Sequence, residues 1–442
     1  MKKVLKQTFY TLSLLNSAYA MAQEDSSEKQ VSDTLYTVIA APKEPGNNKV
    51  KVDFYGFIRH DAFYDTRQSI GAGENIVLLY PKDRNLDMNG EDINAASKFH
   101  MLSVLSRAGI NVKGPDILGA KTSGILEGEF FGSTEAGINE FRLRHAYVML
   151  DWEKTQLGIG QYWHPMVVLD CLPNVVNYGT GSPIFALNRN PQIRLTHRFA
   201  ENFKVIAALN SQRDFTPNTL PYRDSGVPSS HLQVQYKSAQ WVVGIAGQYE
   251  ILRPQLSSGE PPVVNNEKVK SFTAMAYARL ITKPLMISAS AMMAQNASSL
   301  VMLGGFVGYS APGEPDLFRT MNTTSAWIDF QQTATRSVSF GLFAGIVKNR
   351  GVKNPVDGRL PATYGVTSSW GAVSATPGGR SIDQLWRIVP RVDWSLHKMI
   401  KLRFEVENTV ARWGDAQVDG RGKGNEFNAK NSRFHLATIF MF

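Results

Sequence analysis

From about residue 50 to the last residue, the chain returns repeatedly to strict alternation of apolar and polar side chains, a period of two that β-strands impose and helices do not. Residues 401–411 show it most clearly. Leu402, Phe404, Val406 and Val410 fall on one face, and Lys401, Arg403, Glu405, Glu407 and Thr409 on the other. A water-soluble sandwich alternates too, so one strand cannot decide between water and lipid. The number and spacing of strands can.

Sixteen such segments are legible, near 50–65, 98–113, 121–132, 139–152, 154–163, 190–198, 203–211, 230–237, 240–252, 268–281, 284–296, 318–331, 336–349, 383–395, 399–412 and 431–442. With ends soft by about two to four residues, counts of 14 or 18 stay open. Short turns follow the even-numbered segments, for example Gly114-Pro115-Asp116 and Ala200-Glu201-Asn202. Long segments (66–97, 164–189, 212–229, 253–266, 297–317, 350–382, 413–430) follow the odd-numbered ones, the third excepted. An even strand number with short turns at one end and long loops at the other is the pattern of a transmembrane antiparallel β-barrel of the outer membrane, both termini periplasmic. A 12-residue strand extends about 40 Å at roughly 3.3 Å per residue. Tilted by about 45° it rises some 28 Å, enough for an apolar band about 25 Å tall.

The two ends of the chain agree with export and barrel assembly. Lys2, Lys3 and Lys6, the apolar run Phe9 to Leu15, and Ala18-Tyr19-Ala20 or Ala20-Met21-Ala22 read as a signal peptide over 1–22. Residues 23–48 form a polar periplasmic leader, leaving 49–442 for the barrel. The C-terminal segment puts Phe434, Leu436, Phe440 and Phe442 on one face, and a terminal Phe in that setting resembles the signal read by the barrel assembly machinery. Pro284 to Gly313 carries no charge, but serines, Gln295, Asn296 and three glycines interrupt it, so a strand followed by a small-residue loop fits better than a membrane helix.

Composition excludes several classes. Without the three signal lysines the formal charge falls from +9 to +6, too mild and dispersed for a nucleic-acid partner. A single cysteine, Cys171, leaves no disulfide framework or multi-cysteine metal site, and reads as a small buried hydrophobe rather than a reactive thiol. No catalytic motif or metal-binding histidine spacing occurs, so neither metal nor cofactor is expected.

Sixteen strands enclose a lumen that side chains cannot fill, so polar faces must meet water. With Leu102, Val104, Ala108 and Ile110 turned to lipid, Ser103, Arg107, Asn111 and Lys113 turn inward. Arg142 and Arg144 oppose Phe141, Leu143, Tyr147 and Met149, which leaves His145 outward. Arg194 opposes Ile193 and Leu195, while Arg387 and Arg391 oppose Trp386, Ile388 and Val392. An arginine on the lipid side near the midplane would cost about 2–4 kcal/mol. Inward acids include Asp53, Asp61, Glu127, Glu129, Asp393, Glu405 and Glu407. The arginines either attract anions or pair with these acids across the wall, and both readings stay open. The apolar segment from His164 to Arg189 is expected to fold inward as a constriction, placing Asp170 opposite the basic wall.

Six stretches carry a family likeness: Phe54-Tyr55-Gly56-Phe57-Ile58-Arg59, Glu127-Gly128-Glu129-Phe130-Phe131-Gly132, Phe141-Arg142-Leu143-Arg144-His145-Ala146-Tyr147-Val148, Ile159-Gly160-Gln161-Tyr162-Trp163, Asn190-Pro191-Gln192-Ile193-Arg194 and Ile388-Val389-Pro390-Arg391-Val392. They resemble the DcaP-like outer-membrane porins and, more distantly, phosphate-selective porins, although no lysine cluster favours phosphate. The resemblance implies a sixteen-stranded homotrimeric barrel admitting small anionic solutes such as dicarboxylates. The N-terminal coiled-coil extension of that family has no counterpart beyond the short leader. The pore-lining residues expected are Arg59, Arg107, Arg142, Arg144, Arg194, Arg387, Arg391, Arg403, Glu127, Glu129 and Asp170. Passive flow needs no enzyme activity. Two alternatives are a non-conducting structural or adhesion barrel, and a lipid hydrolase built on an outward His145 or His435.

Overall fold

The computed structural model describes residues 50–132, 136–213, 220–333, 337–365 and 379–442. The signal peptide and leader expected at the N-terminus lie outside the described residues. Sixteen strands form the wall, in the positions the alternation predicts. They are β1 (Lys51–Asp65), β2 (Lys98–Leu102 continued by Arg107–Lys113), β3 (Lys121–Glu129), β4 (Arg142–Asp151), β5 (Thr155–Trp163), β6 (Arg189–Ala200), β7 (Phe203–Asn210) and β8 (Ser229–Lys237). The second half is β9 (Trp241–Leu252), β10 (Val269–Ile281), β11 (Leu285–Gln295), β12 (Glu314–Gln332), β13 (Val338–Val352), β14 (Arg380–His397), β15 (Ile400–Asp415) and β16 (Phe427–Met441).

Each strand pairs antiparallel with its chain neighbours, and β1 closes the barrel by pairing with β2 on one side and β16 on the other. Closure runs to the last residue. Gly56 and Phe442 exchange backbone hydrogen bonds at 3.2 and 3.1 Å. Residue 56 must be Gly, because a Cβ there would sit 2.7 Å from the Phe442 ring. Among the described residues no helix is long and apolar enough to cross a membrane. The uncharged stretch after Pro284 is a strand, a short turn (Ala297–Leu300) and a second strand (Gly305–Ala311).

The outer face carries exposed apolar side chains strand after strand, among them Phe54, Ile58, Leu126, Ile159, Ile193, Ile245, Phe272, Phe340 and Phe404. Trp241, Trp386 and Trp394 stand on the same face. That band can only be stable against hydrocarbon.

The alternation changes phase at several places, and two of them correct the sequence expectation. Residues 103–106 leave the ladder in a turn closed by Ser106 N–H to the Ser103 carbonyl at 3.2 Å. The Ser106 hydroxyl replaces the missing strand partner by accepting the Arg59 N–H at 3.1 Å. Before the turn, Phe99 and Met101 face outward while Leu102 and Val104 pack inside. Ser103 meets the exposed His60 on the outer face at 3.0 Å, the reverse of its expected inward position. The second change is a β-bulge in β4, where Arg144 is an extra residue opposite β3. Arg144 and His145 both turn inward, Tyr147 follows them, and Val148 becomes the lipid-facing residue. Gln161 on β5 donates to the Arg144 carbonyl at 3.1 Å, satisfying the bulged backbone.

Candidate functional site

The lumen is built from inward side chains of the wall and from three connections that fold back into it, following β1, β5 and β11. The segment 164–188 after β5 is buried over most of its length, as its apolar composition requires. Phe185 meets Trp327 edge-on at 5.4 Å, and the Leu187 N–H reaches the Leu300 carbonyl of the β11 connection at 3.0 Å. Leu79 and Tyr80 of the β1 connection join the same core, with Leu300 to Leu303. Cys171 is part of it, its thiol pushed up to about 11 by burial. An apolar mass thus occupies much of the lumen.

The charged groups of the wall hold this mass in place, because each buried ion must find a partner. Arg391 forms a two-toothed pair with Asp329 at 2.6 and 2.9 Å, and Asn174 of the inward segment donates its N–H to the same Asp329 at 3.2 Å. Arg403 pairs with Asp393 at 2.5 Å and donates to the Asn174 carbonyl at 2.9 Å. Glu405 accepts the N–H groups of Val176 and Asn177 at 2.6 and 2.8 Å. Arg59 bridges Asp61 and the Val176 carbonyl, at 2.6 and 2.7 Å. Arg387 pairs with Glu407 at 3.0 Å and donates to the carbonyls of Ser182 and Leu79, each at 2.7 Å. Five expected pore-lining arginines, Arg59, Arg387, Arg391, Arg403 and Arg144, therefore spend donors on acids of the wall, and three of them, Arg59, Arg387 and Arg403, on loop carbonyls as well.

A second cluster sits on β2–β4. Arg144 binds Glu127 at 2.7 Å and Glu129 at 2.6 Å. Arg107 and Arg142 reach Glu129 at 3.3 and 3.2 Å, and the Tyr178 hydroxyl of the inward segment donates to it. Buried His145 lies 3.6 Å from Glu127, and His435 lies inside against Asp61 at 2.7 Å. The two histidines that a lipid-facing hydrolase would have used are both within the barrel.

The third part of the lumen, on β6–β10 toward the end that carries the chain termini, is different. Arg194 donates to the Gln192 side chain and the Trp163 carbonyl, and neither it nor Arg279 makes an ion pair among the described residues. Lys204 and Lys237 converge on one carboxylate, Asp170, at 3.6 and 2.8 Å. Asp170 thus faces basic residues of the wall, and these are lysines rather than the arginines singled out in the sequence. Burial would raise its carboxyl, but hydrogen bonds from Lys237 and Gln235 and the nearby Lys204 charge lower it to about 2. Lys204, Lys237 and Arg279 were not singled out in the sequence. Their signal was the one used for the arginines, since Lys204 stands between Phe203 and Val205 and Arg279 between Ala278 and Leu280.

A family model described as DcaP outer membrane protein matches residues 5–258. The outer membrane channel DcaP of Acinetobacter baumannii is similar in structure at a TM-score of 0.63 and 16% identity, over 89% of this chain and 97% of that one. OmpT of Vibrio cholerae in a trimer form matches at 0.52 and 11%, over 89% of this chain and 99% of that one. An anion-selective porin from Comamonas acidovorans matches at 0.52 and 12%, over 89% of this chain and all of the other. No curated protein matches the sequence.

Proposed function

Because the chain belongs to the DcaP outer membrane protein family, and is thereby a porin of the outer membrane, we propose that it passes small anionic solutes, dicarboxylates among them, by passive diffusion. The carrying observation is the cationic surplus on β6–β10. Among the described residues, Arg194, Lys204, Lys237 and Arg279 have the single carboxylate of Asp170 as ion partner. Cations in a narrow lumen raise the local anion concentration and slow the entry of cations. Arg107 and Arg142, partly open to the lumen, extend the field across the opening. The remaining arginines serve by fixing the constriction. Residues 1–22 direct export, 23–48 form the periplasmic leader, Phe442 is the handle for barrel assembly, and the chain assembles as a homotrimer that catalyses no reaction.

A second reading, a non-conducting structural barrel, draws on the apolar core within the lumen. Proteoliposome swelling separates the two. Faster swelling in succinate than in an uncharged sugar of similar size supports the anion channel. Equal rates, or faster swelling with lysine, contradict anion preference, and no swelling favours the structural barrel.

A further inference from the structure

The inward segment 164–188 is tied to most of the wall through backbone groups and neutral side chains, but to the Lys204 and Lys237 ends of β7–β8 through one charge. Asp170, in the short turn Leu169–Cys171, places one oxygen 2.8 Å from Lys237 Nζ and the other 2.9 Å from Gln235 Nε2. Lys204 Nζ stands 3.6 Å from the second oxygen. These three donors belong to the wall, not to the loop. Lys204 and Gln235 are direct cross-strand partners, and Lys237 lies two residues farther along the same face of β8. Their spacing is set by the sheet and persists if the loop moves.

Gln235 is also oriented from behind. Its carbonyl accepts the Tyr277 hydroxyl at 3.0 Å, and Tyr277 in turn accepts the Gln233 amide at 2.6 Å. That chain turns the Gln235 N–H₂ group toward Asp170, and Gln235 itself is 1% exposed. Two ammonium groups and a fixed amide form a receptor for a carboxylate: two positive point charges and one directed donor. The site is open on its free side, since the Lys237 side chain is 52% exposed.

We propose that Lys204, Gln235 and Lys237 form a carboxylate-binding site on the lumen wall, occupied in the resting protein by the channel's own Asp170, which a permeating carboxylate replaces. The proposal rests on the anion-channel reading and adds to it a place where the anion pauses and a loop contact that must yield. Asp170 acts as a tethered competitor, raising the concentration of free carboxylate needed to fill the site and limiting its residence. The rest of the segment stays fixed through Asn174, Val176, Asn177 and Ser182, so the exchange moves only the turn around Asp170.

The test is block of single-channel chloride current by succinate in planar bilayers, with the salt-gradient reversal potential read in the same membranes. With Asp170→Asn the site is vacated, and the half-blocking succinate concentration is expected to fall about tenfold, or roughly 1.4 kcal/mol. Adding Lys237→Gln in that background should restore or exceed the wild-type value. If Asp170→Asn does not assemble, Asp170→Ser carries the same test and should lower the half-blocking concentration. An unchanged half-blocking concentration on removal of the Asp170 carboxylate overturns the proposal while anion-selective reversal leaves the channel reading intact. Cation-selective reversal removes both.

Discussion

The Glu405 carboxylate of β15 accepts the backbone N–H of Val176, in the middle of the inward segment, at 2.6 Å. The contact joins a wall residue to a loop 229 positions away in sequence, and it shows how charge is used here. An inward acid is placed by strand alternation, and the loop that narrows the lumen is fastened to it.

Replacing Glu405 with Ala should therefore release the constriction without opening the wall. Hydrogen bonds to charged groups contribute about 1.5–3 kcal/mol each, and two such bonds from backbone N–H groups are lost. The single-channel conductance is expected to rise and the open-state noise to increase. A conductance equal to wild type would show that this contact does not position the loop.

The Arg391–Asp329 pair is a sharper test of buried charge. Asp329→Ala leaves a guanidinium inside the barrel without its counter-ion, which costs about 3–5 kcal/mol. Arg391→Met in addition should recover most of that loss, because the pair as a whole contributes little beyond mutual neutralisation. Urea unfolding in detergent or lipid vesicles would read both values. A double variant as unstable as the single one would contradict the argument.

The bulge in β4 yields a prediction that unbroken alternation reverses. Val148 faces outward and is 56% exposed, while Met149 points inward beside Ser123. Val148→Arg should cost about 2–4 kcal/mol near the midplane, and Met149→Arg markedly less. The two changes can be compared by folding yield into vesicles, and the opposite ranking would move the bulge elsewhere.

Docking of the inward segment should also depend on pH through His164, the residue that opens it. Its Nδ1 accepts the Met166 N–H at 3.1 Å, which requires that nitrogen to be unprotonated. Burial holds the imidazole well below its usual range, with His231 and Arg194 adding to the effect. A released His164 would take up a proton below about pH 6.5, whereas the docked one does not. Docking is thus undiminished above that pH and weakens as pH falls. Conductance noise recorded from about pH 7.5 down to about 5 should increase in the wild type and stay flat in His164→Gln. Identical profiles would remove His164 from the account.

Much of the barrel was legible because a period of two leaves little choice of face, and loop length recorded which end of the barrel each connection occupies. Both phase errors occurred where one residue or one turn was inserted, at Arg144 and at Ser103 to Ser106. No side-chain pattern announces a bulge. The inward fold of 164–188 was readable from its apolar residues. Its partners were not, since pairing Asn174 with Asp329, or Asp170 with Lys237, depends on a path across the lumen. The same limit explains the arginines. Alternation placed them inside, but only the folded loops showed that Arg387 and Arg403 are structural fasteners and that Arg194 and Arg279 make no ion pair among the described residues.

The most direct test of the whole account is the zero-current potential of the wild-type channel across a tenfold potassium chloride gradient. The surplus of lumen cations on β6–β10 predicts a potential of the sign given by chloride as the more permeant ion, reduced when Arg194 and Arg279 are both replaced by Gln. A potential of the opposite sign, with potassium passing more readily, would contradict it.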